Sequence, residues 1–200
     1  MDRPLNIILL GDPAAGKGTQ AARLVKKYGL YDLDMGREVR KPAIQKRFDY
    51  GKTTAVGKLT PTAIVRDIFT EVISKVPEDQ GILFNGTPKM INEAKLVKRL
   101  LKKYNRRDPL VIYIKLSERE TIRRIENRME HVKGKLVKRD DDTLHALKNR
   151  RKYYKEQVSQ VVIFFKEHYT LKSISGMGSE VAVSQRISEV IKKYTNNHGS

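Results

Sequence analysis

Short apolar runs alternate along this chain with longer stretches in which apolar residues return every three or four positions. LNIILL (5–10) is a continuous apolar run that ends at Gly11, the pattern of a strand buried on both faces. Residues 17–28 read as a helix, and 31–33 as a weak second strand. Residues 37–49 and 61–76 read as helices joined by the turn-rich YGKTTAVGKLTP. GILF (81–84) is another buried strand, stopped by Asn85-Gly86. Residues 90–104 form an amphipathic helix with Leu96, Val97, Leu100 and Leu101 on its apolar side. LVIYIKL (110–116) is the clearest strand. Helices follow at 117–128, 141–153 and 155–168, then a strand at 171–175 (LKSIS) and a helix at 179–194. Strands that alternate with helices predict a parallel sheet covered on both faces. Two segments, 34–66 and 130–138, are too polar and glycine-interrupted to be core, and read as excursions from the sheet.

The chain has 200 residues, enough for one core with small insertions. It has no cysteine, which excludes disulfides and a cysteine-based zinc site. No apolar run is long enough to cross a bilayer, and the first strand begins too early to leave room for a cleaved leader. These features predict a cytoplasmic protein with no membrane partner. The net charge of +18 admits two readings, a polyanionic partner or a lysine-rich solvated surface. The basic residues form no single block and carry no aromatic-rich RNA motif, so a nucleic-acid module rests on charge alone.

GDPAAGKGTQ (11–20) sits between the first strand and the first helix. Gly11 and Gly16-Lys17 fit G-x-x-x-x-G-K, with Gly18 and then Thr19. Backbone N–H groups at such a junction lack partners of their own and bind phosphate oxygens, and the helix dipole favours the negative charge. Glycines at 16 and 18 let a ligand approach the backbone. Lys17 supplies a cation toward the β- and γ-phosphates.

The variant GKGT resembles the nucleoside monophosphate kinases, and adenylate kinases in particular, whose loop reads G-x-P-G-x-G-K-G-T. The resemblance continues in order through DMGREVR (34–40), GKLTPTAIV (57–65), GILFNGTPKMINEA (81–94), RRIENR (123–128) and RDDDTLHALKNR (139–150). It implies an α/β P-loop fold of three layers around a central parallel five-stranded sheet. The whole chain, 1–200, would be one kinase domain: core 1–33, 67–128 and 139–200, a helical monophosphate-binding insertion at 34–66 and a short lid at 129–138. It implies reversible, Mg²⁺-dependent transfer of the ATP γ-phosphoryl to a monophosphate, AMP by default, in a monomer with no obligate protein partner.

By the same resemblance, ATP would be held by Ala14, Ala15, Gly16, Lys17, Gly18, Thr19, Arg124 and Arg128. The monophosphate would be held by Met35, Gly36, Arg40, Lys58, Leu59, Thr60, Gly86, Lys89, Glu93, Arg139 and Arg150. Lys17, Arg128, Arg139 and Arg150 would carry the chemistry, with Asp141 and Asp142 holding lid arginines. Mg²⁺ would have no direct protein ligand, with Thr19 and Asn85 nearby.

The chain departs from the family pattern at Ala14, where a glycine is usual, and at four acceptor-side positions. Asn85 and Arg37 stand where the pattern has acids, Lys89 where it has arginine, and Glu93 where it has the glutamine that reads adenine. A carboxylate only accepts hydrogen bonds, which suits guanine's two adjacent donors better than adenine. Three alternatives therefore stay open: a GMP-preferring or relaxed kinase, a nucleotide-binding homologue with weak catalysis, and an ordinary AMP kinase in which Glu93 is a solvated helix residue.

Overall fold

The computed structural model describes residues 3–56, 58–126, 129–132, 135–138 and 154–198. Five strands, β1 (Ile7–Gly11), β2 (Tyr31–Asp34), β3 (Ile82–Asn85), β4 (Leu110–Lys115) and β7 (Leu171–Ser175), form one sheet in the order β2-β3-β1-β4-β7. Every pairing in it is parallel. β5 (Met129–Val132) and β6 (Lys135–Lys138) form a separate antiparallel pair within the expected lid, where the polarity of the sequence predicts no strand.

Side chains alternate across each strand, and the apolar runs feed two cores. Ile8, Leu10, Leu33, Phe84 and Val111 face one side, against α4 (Thr62–Lys75), α5 (Ile91–Lys103) and α7 (Ser159–His168). Ile7, Leu9, Leu83, Ile112 and Ile114 face the other, against α1 (Lys17–Tyr28) and α8 (Glu180–His198). Ile7, Ile8, Leu9 and Phe84 are fully enclosed, each contributing roughly 1.5–3 kcal/mol of transfer free energy. The result is the three-layer α/β arrangement with a central five-stranded parallel sheet that the run pattern predicts.

The expected helix over 37–49 is instead two short ones, α2 (Met35–Val39) and α3 (Pro42–Gln45). Pro42 is the reason. Its ring forces Lys41 to extended backbone (φ −60°, ψ 132°), and its missing N–H suits the first position of a new helix. α4 runs across the expected boundary at 66, and Ile64 and Val65 in its first turn are already buried in the core. α6 (Glu118–Glu126) follows β4. The segment expected as a helix at 155–168 begins with a π-helical turn, Tyr154–Val158, before α7. The helix expected at 141–153 lies outside the described residues.

β1 lies between β3 and β4, so the chain leaves β1 in one direction to build β2 and β3, then crosses back to β4. The crevice beyond the carboxyl end of β1 is the topological switch point, where ligands bind in open parallel sheets. Here the two neighbours run very close. A Cβ on Gly11 would fall 2.5 Å from the carbonyl oxygen of Ile114 on β4. Backbone atoms on both sides cannot yield cheaply. Gly11→Ala is therefore expected to destabilise the protein by about 3 kcal/mol, lowering Tm by roughly 6–12 °C for a chain of this size, measured by thermal unfolding.

Candidate functional site

The phosphate loop is shaped by two left-handed residues. Ala14 has φ 57° and Gly16 φ 79°, and Gly16 caps α1. The loop tightens through the Ala15 amide, which donates to the Asp12 carbonyl at 3.1 Å, and the helix begins when the Gln20 amide donates to Gly16 at 3.1 Å. Among the described residues no side chain caps α1, and its first turn, Lys17 to Gln20, carries no acid. Its leading N–H groups and the positive end of its dipole thus face the crevice with no carboxylate among the described residues bonded to them.

The Lys17 ammonium donates to the carbonyls of Gly11 and Asp12, each at 2.8 Å. Its stem runs beside Gly86 after β3, where a Cβ would sit 3.5 Å from the lysine Cε. Lysine, loop and the end of β3 therefore share one place. Among the described residues, a Cβ on Gly16 or Gly18 would meet nothing within 4 Å. Packing among the described residues does not demand glycine at 18. Thr19 is exposed in the first turn of α1.

Asp12 carried no signal in the sequence, yet it anchors the loop. Its carboxylate accepts from the Tyr113 hydroxyl and from the Leu116 amide, both at 2.6 Å. Burial, reinforced by that carboxylate, pushes the Tyr113 phenol well above its ordinary range, so it stays a donor.

On the acceptor side, Asp34 caps α2 by accepting from the Arg37 amide at 3.1 Å. Met35 is buried, and the Arg40 guanidinium lies along Gly36, where a Cβ would be 3.6 Å from both of its terminal nitrogens. The two departures Arg37 and Asn85 meet on a third residue, Asp32. Arg37 pairs with the Asp32 carboxylate at 3.1 Å and donates to its carbonyl at 2.5 Å; the Asn85 amide donates to the same carboxylate at 3.3 Å. Asp32 was missed because it meets Asn85 only in the folded sheet, where β2 pairs with β3 and sets Asp32 opposite Leu83, diagonal to Asn85.

Lys58 is exposed, and Leu59 and Thr60 are half-buried ahead of α4; the Thr54 and Thr60 hydroxyls are 3.0 Å apart. The Thr62 hydroxyl donates to the Met90 sulfur at 3.7 Å, which ties α4 to the start of α5.

Glu93 is not a solvated helix residue. It is 4% exposed, and its Oε2 accepts from the Lys89 and Met90 amides at 2.8 and 3.2 Å, closing the N-terminus of α5. Burial raises its pKa above the ordinary 4.5, outweighing those two bonds. The folded state therefore keeps the proton to higher pH than the unfolded chain does. Stability from the neutral acid is complete below about pH 4.5 and is lost as pH rises through the higher folded-state value. Gln keeps the acceptor without the charge. Glu93→Gln is expected to raise stability at pH 7 by about 1 kcal/mol, or roughly 2–4 °C in Tm, and to leave it unchanged at pH 4.

Arg124 donates to Glu120 at 2.6 Å and to the Gly176 carbonyl at 3.0 Å, fixing α6 to the loop after β7. Hydrogen bonds from Arg123 and then Arg124 hold the Glu120 carboxyl at about 2. Arg128, Arg139, Asp141, Asp142 and Arg150 lie outside the described residues. Ala14 to Thr19, Met35, Gly36, Arg40, Gly86, Lys89, Glu93 and Arg124 all follow the carboxyl ends of strands β1, β2, β3 and β4.

A family model described as adenylate kinase matches residues 9–170. The adenylate kinase of Azobacteroides pseudotrichonymphae is 34% identical over 191 residues, covering 94% of this chain and 97% of that protein. That of Agrobacterium fabrum is 33% identical over 194 residues, covering 94% and 98%. That of Porphyromonas gingivalis is 27% identical over 194 residues, covering 95% and 97%.

Proposed function

The chain belongs to the adenylate kinase family, a family of nucleoside monophosphate kinases, and from that premise we propose how its residues transfer the γ-phosphoryl of ATP reversibly to AMP. The observation that carries the proposal is the loop at the switch point, with helix amides that no described side chain caps, no described atom outside the helix within 4 Å of a Cβ at Gly18, and Lys17 beside Gly86.

Phosphoryl transfer needs alignment, neutralised charge and excluded water more than a covalent protein group. The amides of residues 14–19 cradle the donor phosphates. Lys17 leaves the Gly11 and Asp12 carbonyls for the β- and γ-oxygens and follows the charge as it moves. Arg40 offers a planar fork to the acceptor phosphate. Gly36 leaves room for it, and Met35, Lys58, Leu59, Thr60, Gly86, Lys89 and Glu93 border the acceptor. Arg124 supports the donor side. The insertion at 34–66 and the lid at 129–138 close over the two nucleotides, and Arg128, Arg139 and Arg150 complete the charge.

The residues present fit a magnesium ion that keeps most of its waters. Asn85 spends its Nδ2 on Asp32, which leaves its amide oxygen as an acceptor for a metal-bound water, and the Thr19 hydroxyl is exposed; the Asp32 carboxylate itself is taken by Arg37 and Asn85. Bound there with ATP, the ion supplies positive charge to the β- and γ-phosphates. Among the described residues no helix is long and apolar enough to cross a membrane, and a monomeric cytoplasmic enzyme is the form proposed, since one chain holds both nucleotides.

A coupled assay of ADP formation with AMP, GMP, CMP and UMP, with and without Mg²⁺, tests the reading. AMP should be the best acceptor and the rate should need the metal. Triphosphate binding with no turnover on any acceptor would sink it in favour of a nucleotide-binding homologue, and a GMP preference would reassign the base.

A further inference from the structure

A sharp loop that must present several amides to one ligand has to be held in shape before the ligand arrives. This loop includes a strained position. Ala14 stands at φ 57°, a conformation that costs a non-glycine residue about 1 kcal/mol. Something outside the loop must hold it there. The bonds that leave the loop for the sheet converge on Asp12. Its amide donates to Ile114 at 3.0 Å, extending the β1–β4 ladder by one rung. Its two carboxylate oxygens take the Tyr113 hydroxyl and the Leu116 amide, one each, both at 2.6 Å. Its carbonyl receives the Ala15 amide and the Lys17 ammonium. One residue thus links the fourth strand, the bend of the loop and the cation.

We propose that Asp12 and Tyr113 act as positioning residues, a latch between β4 and the phosphate loop that sets the loop amides and Lys17 for the triphosphate. The claim rests on the phosphate-loop reading of the preceding section. Each Asp12 carboxylate oxygen is held by a donor on or just past β4, Tyr113 or Leu116, which fixes the acid against the sheet and stabilises its charge. Tyr113 is suited to the task because it is half-buried within β4, an interior strand paired on both sides, and its hydroxyl remains protonated. A bond to a charged acceptor is stronger than one between neutral groups.

The test is equilibrium titration of the whole chain with ATP, set beside KM values for ATP and AMP and thermal unfolding. Asp12→Ala should weaken ATP binding about ten- to a hundredfold, as loss of charge-assisted bonds implies. Tyr113→Phe should weaken it about three- to tenfold. Asp12→Asn should fall between, since it keeps an acceptor for Tyr113 but turns a donor toward the Leu116 amide. The double variant Asp12→Ala/Tyr113→Phe should be no worse than Asp12→Ala alone, because the two share one bond. KM for AMP should stay within about twofold in all of them. If Asp12→Ala does not fold, Tyr113→Phe and Asp12→Asn carry the same comparison.

Two results overturn the latch. One is folded variants that bind ATP within twofold of the parent. The other is equal weakening for ATP and AMP, which would make the contact a general support. Gly18→Val separates this failure from that of the underlying reading. If blocking the loop leaves ATP binding intact, the loop is not the triphosphate site and both claims fall. If it abolishes binding while the latch variants do not change it, the latch alone is lost.

Discussion

Lys17→Met lowers turnover with ATP and AMP about a thousandfold, a loss of about 4 kcal/mol of transition-state stabilisation, while the protein stays folded. The ammonium makes two short bonds to loop carbonyls, which hold it over the crevice. Those bonds exchange readily for phosphate oxygens, because a carbonyl offers half a charge where a phosphate offers a whole one. Methionine keeps the length of the stem along Gly86 and removes only the cation. ATP affinity should fall much less than kcat, since the loop amides still bind the ground state. Steady-state kinetics and a binding titration on the same preparation check the split. Equal losses in affinity and turnover would mean that Lys17 serves binding alone.

The second large effect comes from Gly18→Val. Among the described residues, nothing outside its own helix lies within 4 Å of the position a Cβ would take there. Valine is also a better helix former than glycine, so Tm should hold or rise slightly. The isopropyl group nevertheless fills the space above the first turn of α1, and the triphosphate can no longer reach the amides. ATP affinity should drop by at least about a hundredfold, or 2.7 kcal/mol. Gly11 makes the informative contrast. There the missing side chain makes room for Ile114, so a methyl group damages the fold itself. Two glycines seven positions apart in one motif thus separate by assay, one through calorimetry and the other through ligand titration.

The sheet was legible because the runs at 5–10, 81–84 and 110–116 are predominantly apolar, broken only by Asn6 and Lys115, as suits strands covered on both faces. The phosphate loop was legible because its chemistry is local: the strand, the glycines, the lysine and the helix are contiguous. The Asp12–Tyr113 contact was not legible, since its partners are 101 residues apart and meet only through the β1–β4 register. Asp32 was hidden for the same reason. Pro42 announced a helix break, but the apolar spacing around it reads through the proline. Glu93 looked like a base-reading group from its place in the motif. Its burial, and the two amides it receives, come from how α5 starts, which no residue count conveys.

The contact of Arg37 and Asn85 through Asp32 makes three positions on β2, α2 and β3 interdependent. Swapping in an acid at 85 from a relative, with nothing else changed, would bring two like charges to the 3.3 Å now spanned by an amide hydrogen. Removing the guanidinium first would leave Asp32 without its neutraliser. Sequence exchange with other kinases of this kind is therefore path-dependent here: the trio tolerates replacement as a set, in which the residue at 32 gives up its acid before the one at 85 regains it.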